Sequence, residues 1–338
     1  MKRSCAHWRG RRRGTWHDRE TGGRGNIRLP FKNAGYFTVE RKGIQMEYRT
    51  FKEETAKKLE ELAGDGVSVM EHKVVKNNGT ALDAVSFHTD GCIASPTVYL
   101  EPYYSRGLSV EDAAGKIYRD YLESMGNIPH EADAILDYGA VKGRIVYRLV
   151  NYGMNSQMLG HMPHRRYIDL AVTYCVLFPD DGTGMEKTVQ VTDSLMGQWG
   201  AGCDEIEERA RENTPRLLEW QMDSIEGLLG QSMDMDMPES FHMGVSMYVL
   251  TNRKKIGGAS CILYPGLLEK IAGKWGTDIV IIPSSIHELI LLPAGGDIHA
   301  DALAGMIREI NGSVLAPAEV LSDHAYLYSA QEKCVVAA

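Results

Sequence analysis

The stretch from Met247 to Pro293 limits the possible folds more than any other part of the chain. It reads MYVLTN, then GASCILYPGLLEKIAGKWG, then TDIVIIPSSIHELILLP. Short runs of Val, Ile and Leu bounded by Gly, Pro, Asn and Ser predict strands separated by sharp turns. The expected strands are Met247 to Asn252, Ala259 to Tyr264, Asp278 to Pro283 and His287 to Pro293. Leu267, Leu268, Ile271 and Trp275 recur at helical spacing between Pro265-Gly266 and Gly276, which predicts one helix. A further helix over 300–310 and an edge strand over His324 to Tyr328 complete a compact α/β unit.

Upstream, Tyr48, Phe51, Thr55, Leu59 and Leu62 share one face of a helix running from Met46 to Ala63. Asn77-Asn78-Gly79 joins Val67 to Lys76 and Ala81 to His88 as a hairpin, because Asn-Gly supplies the positive φ angles of a tight turn. Ser95-Pro96 leads into a short strand, Thr97 to Leu100. Ser109 caps a helix with Asp112 as its capping-box partner, and Val110, Ala113, Ile117 and Tyr121 form the buried stripe. Val141 to Asn151 reads as another helix, with Arg144 and Arg148 one turn apart. The apolar run from Tyr167 to Phe178 predicts a central strand, turned at Asp180-Asp181-Gly182 into Lys187 to Thr192. Asp204 to Glu212 is expected as a polar helix, and Thr214 with Pro215 as the start of the next.

Strands and helices mix without a βαβ repeat, so the expected class is α+β: mixed sheets with helices packed on them, in two subdomains. The boundaries read as a basic extension over 1–45, an N-terminal α+β domain over 46–229, a Met/Asp-rich linker over 230–246 and a C-terminal α/β subdomain over 247–330.

Charge divides the 338 residues in the same way. Residues 1–45 hold 12 Lys/Arg against 3 Asp/Glu, a net of +9; the rest holds 25 against 42, a net of −17. An acidic body repels phosphate backbones, so nucleic acid is a partner only through residues 1–45, if they are translated. That extension reads as a disordered nucleic-acid arm, as a targeting peptide weakened by Asp18 and Glu20, or as a segment not normally made. The last is favoured: codons for Lys42-Gly43 form a purine run like a ribosome-binding site just before Met46, the expected start. No apolar run is long enough to span a bilayer, and no signal peptide opens the chain, so no membrane partner is expected. Six scattered cysteines, without a C-x-x-C pair, predict free thiols in a reducing cytoplasm.

Few residues carry chemistry. Ser284, Ser285, His287 and Glu288 supply the types of a nucleophile, a base and an orienting acid. Adjacent His287 and Glu288 point to opposite faces of a strand, however, and no G-x-S-x-G elbow presents the serine. A polar turn is the favoured reading. Arg253, Lys254 and Lys255 are the basic cluster of the acidic body, a candidate anion site set against a solvated hairpin loop. His161 and His164 flank Pro163 and lack helical ligand spacing, so no metal is expected. Gly200-Ala201-Gly202 precedes a helix, but Glu205 stands where a dinucleotide fingerprint needs its third glycine. Asp234 and Asp236 start a calcium-like run that fails at Pro238. No cofactor is expected.

The segments SPTVYLEPYY, RIVYRLVNY, ENTPRLL, MYVLTN, YPGLLEKIA, PSSIHELILLP and APAEVLSDHAYLY, in this order, resemble an uncharacterised bacterial family known only as a domain of unknown function, with a distant likeness to the YtpQ-like group. The resemblance covers about Met46 to Tyr328 and implies no activity, cofactor or catalytic residue. Its motifs are aromatic, aliphatic and turn residues, which serve packing more than acid–base work. The expectation is therefore a soluble, cytoplasmic, non-catalytic protein that binds a protein partner or a small ligand, or regulates one. The alternative is a hydrolase-like enzyme using Ser284 or Ser285 with His287.

Overall fold

The computed structural model describes residues 46–89, 97–126, 134–178, 188–225, 227, 246–295, 307, 311 and 315–338. The 1–45 extension, Ser95-Pro96, the 180–182 turn, the 230–246 segment up to residue 245 and the expected 300–310 helix, apart from Ile307, lie outside the described residues. The architecture is α+β, with three antiparallel sheets among the described residues.

Helix α1 (Tyr48–Ala63) buries Phe51, Thr55 and Leu59 as its periodicity predicts, whereas Leu62 is exposed. Strands β1 (Val67–Val75) and β2 (Ala81–Thr89) form the expected hairpin, closing at Val75 opposite Ala81. At its tip Asn78 and Gly79 both take left-handed φ, of 59° and 69°. Strand β3 (Thr97–Tyr99) pairs with β2. In front of helix α2 (Val110–Gly126), Ser109 Oγ accepts from the Asp112 N–H at 3.1 Å and donates to its carboxylate at 2.9 Å. All four predicted stripe residues of α2 are buried. The two helices and the sheet enclose Leu59, Val85, Phe87, Leu100 and Ile117, with Phe87 stacked on Tyr121 at 4.1 Å.

The hairpin tip fastens this layer to the rest of the chain. Asn78 Nδ2 donates to the carbonyls of Pro317 (2.9 Å) and Val320 (2.7 Å), and Asn77 Nδ2 to that of Ala318 (2.7 Å). Buried Asn155 exchanges two bonds with Asn78, one to its amide and one to its side chain.

The second sheet corrects three expectations. Val141 to Asn151 is not a helix: after short helical turns to Arg144 it becomes strand β4 (Ile145–Asn151). Its β-branched and aromatic residues favour the strand, and both faces are buried, so the alternation that would have marked it is absent. The Tyr167–Phe178 run breaks at Ile168 (φ 60°) into β5 (His164–Tyr167) and β6 (Leu170–Leu177). Strand β6 is central, pairing with β4, β5 and β7 (Thr188–Gln190). The expected break at Thr214 does not occur. Helix α3 (Cys203–Leu217) runs through Pro215, and Thr214 is a buried strut whose Oγ1 donates to Ala210 O at 2.6 Å and accepts from the Tyr147 N–H at 3.0 Å.

The third sheet has the order β13-β12-β10-β11-β9-β8. Its strands are β8 (Trp220–Ser224), β9 (Tyr248–Asn252), β10 (Ile279–Ser285), β11 (Glu288–Pro293), β12 (Tyr326–Ser329) and β13 (Cys334–Ala337). Strand β12 is interior; the edge is β13, which the sequence did not reveal. Strand β8 pairs with β9 across the 230–246 segment. Helix α4 (Leu267–Trp275) ends at Gly276 with φ 72°, as predicted. The expected strand Ala259 to Tyr264 does not form: Gly258–Leu263 is a 3-10 helix, with Ser260 Oγ donating back to Gly257 O at 2.6 Å, and Tyr264 is the extended residue that ends it. Alternate residues of β10 face two cores. Ile279 and Ile281 pack with Tyr147, Tyr174, Ile206 and Ile271, while Val280 and Ile282 pack with Val249, Ile290 and Leu292. Each such side chain contributes about 1.5–3 kcal/mol through burial. Among the described residues no helix is long and apolar enough to cross a membrane.

Candidate functional site

The polar residues singled out in the sequence converge where β9, the β10–β11 turn and β4 meet. The fully buried side chain of Asn252, at the end of β9, organises the loop after it. Its Nδ2 donates to Ile256 O at 2.7 Å, and its Oδ1 accepts from the N–H groups of Lys254 (3.1 Å) and Ile256 (3.3 Å). Winding the chain around one amide forces Lys255 and Gly257 to positive φ, 56° and 55°. The basic cluster is therefore a loop wrapped on a core amide. Arg253 is an exposed ion pair with Glu219 at 3.1 Å, and Lys254 and Lys255 are exposed.

Gly258 lies against the β10–β11 turn so closely that a Cβ there would collide with His287 O and Thr251 Oγ1. Those two atoms are hydrogen-bonded to each other at 2.8 Å. The glycine is thus required by contact, not by its φ angle.

Strands β10 and β11 join through Ile286 and His287, with a register shift between Pro283 and Ser285. His287 is a turn residue and not the first residue of a strand. Ser285 Oγ accepts from the His287 N–H at 3.0 Å, and Ser284 Oγ donates to Glu288 Oε1 at 3.2 Å. The imidazole Nδ1 accepts from the Gly257 N–H at 3.3 Å, which in the neutral ring places the proton on Nε2. Neither serine hydroxyl is hydrogen-bonded to the imidazole; each is held in the turn. Burial lowers the pKa of His287 below its ordinary value. Glu319, whose carbonyl accepts from the Ile286 N–H at 2.9 Å, opposes that shift, and the Arg148 guanidinium adds to it.

Arg148 comes from β4, where it is half-buried opposite Thr173 of β6. Its Nη2 donates to Thr188 Oγ1 at 3.1 Å, and its Nε is buried without an acceptor. A Cβ on Gly257 would stand 3.2 Å from Arg148 Cγ and 3.6 Å from Nε, so the glycine lets the loop lie on the arginine stem. The arrangement offers hydrogen-bond donors and positive charge beside a neutral imidazole. It does not present an activated nucleophile.

The other motifs take structural roles. His164 Nδ1 lies 3.0 Å from Met162 O, and His161 sits in an exposed turn whose carbonyl accepts from the Asp193 N–H. Among the described residues no group of three or more His, Cys, Asp and Glu is placed to hold a metal. Gly200, at φ 63°, closes one helix and Gly202 opens α3, whose Asp204 and Glu207 pair with Arg165. Asp169 accepts from Ser322 Oγ at 2.7 Å and Tyr326 OH at 2.8 Å, tying the β5–β6 turn to the C-terminal strands. A cleft of about 410 Å³ lies between α4 and β12, with Glu269, Asp278 and Tyr328 in its wall.

Residues 48–330 match a family described as a family of unknown function, DUF5688. The chain belongs to that family. The match takes in Arg148, Asn252, Gly257, Gly258, Ser284, Ser285, His287, Glu288 and Glu319. No curated protein and no solved structure matches. Sequence reasoning missed Arg148 and Glu319 as neighbours of His287. A lone arginine inside the apolar run IVYRLV was the available signal, and reading that run as a helix hid it.

Proposed function

We propose that this DUF5688 chain is a binding or regulatory protein and not a hydrolase. The observation that supports this is the use made of the polar groups at Pro283–Glu288. Ser285 Oγ and the His287 carbonyl each bond within the turn or to β9, and His287 Nδ1 is taken by Gly257. A serine hydrolase needs the imidazole free to take the serine proton. In this reading the four residues serve architecture, and the work of the protein is recognition of a protein partner or a small ligand. The acidic body disfavours nucleic acid. The free buried thiols Cys175 and Cys261 suit a reducing cytoplasm, Cys261 being pushed up to about 12 by burial.

The test is reaction of the purified full chain with a fluorophosphonate probe, followed by peptide mapping. No labelling of Ser284 or Ser285 is expected. Labelling of either serine that disappears in His287→Ala would establish the hydrolase reading instead.

A further inference from the structure

Several arginines of the folded body pair with carboxylates, and exposed Arg166 and Arg216 donate instead to carbonyl and amide oxygens. Arg49 pairs with Glu53, Arg165 with Asp204 and Glu207, Arg209 with Glu212, and Arg253 with Glu219. Arg148 differs in its burial, with an Nε that is buried and has no acceptor. It is half-buried, forms no ion pair among the described residues, and has the Thr188 hydroxyl as its hydrogen-bond acceptor. A guanidinium presents five N–H donors in a planar fork suited to carboxylate and phosphate oxygens. Removing such a group partly from water without a counter-charge is unfavourable, and a bound anion relieves it.

The surroundings fit a bound anion. Gly257 leaves no side chain between the loop and the arginine; its N–H is already donated to His287 Nδ1 and the ring also bonds the Lys255 backbone, so Arg148 is the donor an anion meets there. The Asn252-centred loop carries Lys255 on the same short stretch as Gly257. Glu288 and Glu319 are the acidic groups in electrostatic range of His287; Glu288 Oε1 is occupied by Ser284 Oγ.

We infer that Arg148, with the Gly257–His287 edge beside it, is the centre of a binding site for a small oxyanion, a carboxylate or a phosphate group. The site deepens the binding reading given above and rests on it. It relocates anion recognition from the exposed Arg253, which Glu219 already neutralises, to an arginine held inside the fold.

The full chain, labelled with ¹⁵N, is titrated with inorganic phosphate and separately with succinate, at ionic strength held constant with chloride. Saturable shifts are expected in the Gly257 amide and the His287 ring, and the anion that binds more tightly distinguishes phosphate from carboxylate. Arg148→Met is expected to weaken binding at least about tenfold, as loss of a charge-assisted fork does, while Arg253→Met leaves it unchanged. If Arg148→Met does not fold, as judged by circular dichroism, Arg148→Lys is read instead: it keeps charge but loses the fork, and weakened binding is expected. The inference is overturned if neither anion gives a saturable shift, if chloride alone gives the same shifts, or if the Arg148 variant that folds binds like wild type. A chain that neither binds anions nor labels with the fluorophosphonate sinks this site and leaves the non-hydrolase reading standing; labelling sinks that reading by itself.

Discussion

Gly258→Ala tests the close approach that builds the turn. The added methyl collides with His287 O and Thr251 Oγ1 and stands 3.0 Å from Asn252 N. Two of these atoms are backbone, and the third is tethered by its bond to the first, so none can swing aside as the end of a flexible side chain could. Overpacking of this kind costs about 1–3 kcal/mol. Losing the Thr251–His287 hydrogen bond adds about 0.5–1.5 kcal/mol. The stiffer unfolded chain returns about 0.4–1 kcal/mol. The net expectation is a loss of about 2 kcal/mol, which at a slope of about 3 kcal/mol/M lowers the urea midpoint by roughly 0.7 M. Unfolding is followed by tryptophan fluorescence. Gly273→Ala, in α4 with nothing within 4 Å of its added methyl, is the control. It is expected to gain about 0.4–1 kcal/mol. A Gly258→Ala midpoint equal to wild type, or an equal fall in both variants, would refute the steric argument.

Three other perturbations probe separate parts of the structure. Asn78→Ala removes the bonds to Pro317 and Val320 and puts a Cβ residue without a polar side chain at φ 59°; a loss of about 3 kcal/mol is expected, with faster amide exchange in 317–320. Asn78→Gly accepts that φ and should lose roughly 1 kcal/mol less, so equal losses would rule out a backbone contribution. Thr214→Val keeps the shape but leaves the buried Tyr147 N–H unpaired, and thermal unfolding should show about 1–3 kcal/mol of destabilisation. His287 titrates below its ordinary value in the fold because it is buried. As pH falls through that ordinary value, the unfolded chain takes up a proton that the folded chain resists, so stability present at neutral pH is lost on acidification. His287→Gln should flatten the fall in unfolding free energy between about pH 8 and about pH 5; an unchanged slope would show that the ring is not the source.

Elements whose pattern was local were legible in the sequence. The Asn78-Gly79 tip, the Ser109 capping box and the Gly276 stop each depend on a few neighbouring residues, and each formed as expected. The errors arose where tertiary burial removed the local signal. Strand β4 is covered on both sides, so its apolar run carries no alternation and its residue pattern alone predicts a helix. Pro215 opens a helix by its local chemistry, but here Thr214 braces β4 and the helix continues through it. At the candidate site the loop and the turn were visible in the sequence. The approach of Arg148 to His287 was not, because it joins residues from different sheets.

The grip of Asn77 and Asn78 on the carbonyls of Pro317, Ala318 and Val320 spans about 240 positions of chain. During synthesis the amino-terminal layer can bury its own small core early, since its helices and strands are all made first. Its tip can meet Asn155 midway, but the Nδ2 groups of Asn77 and Asn78 stay with water until almost the last stretch of the polypeptide has emerged. Closure of that latch is therefore a late event of maturation, and a nascent chain halted before Pro317 would hold its amino-terminal layer by the Asn78–Asn155 bonds without the three carbonyls that complete the grip.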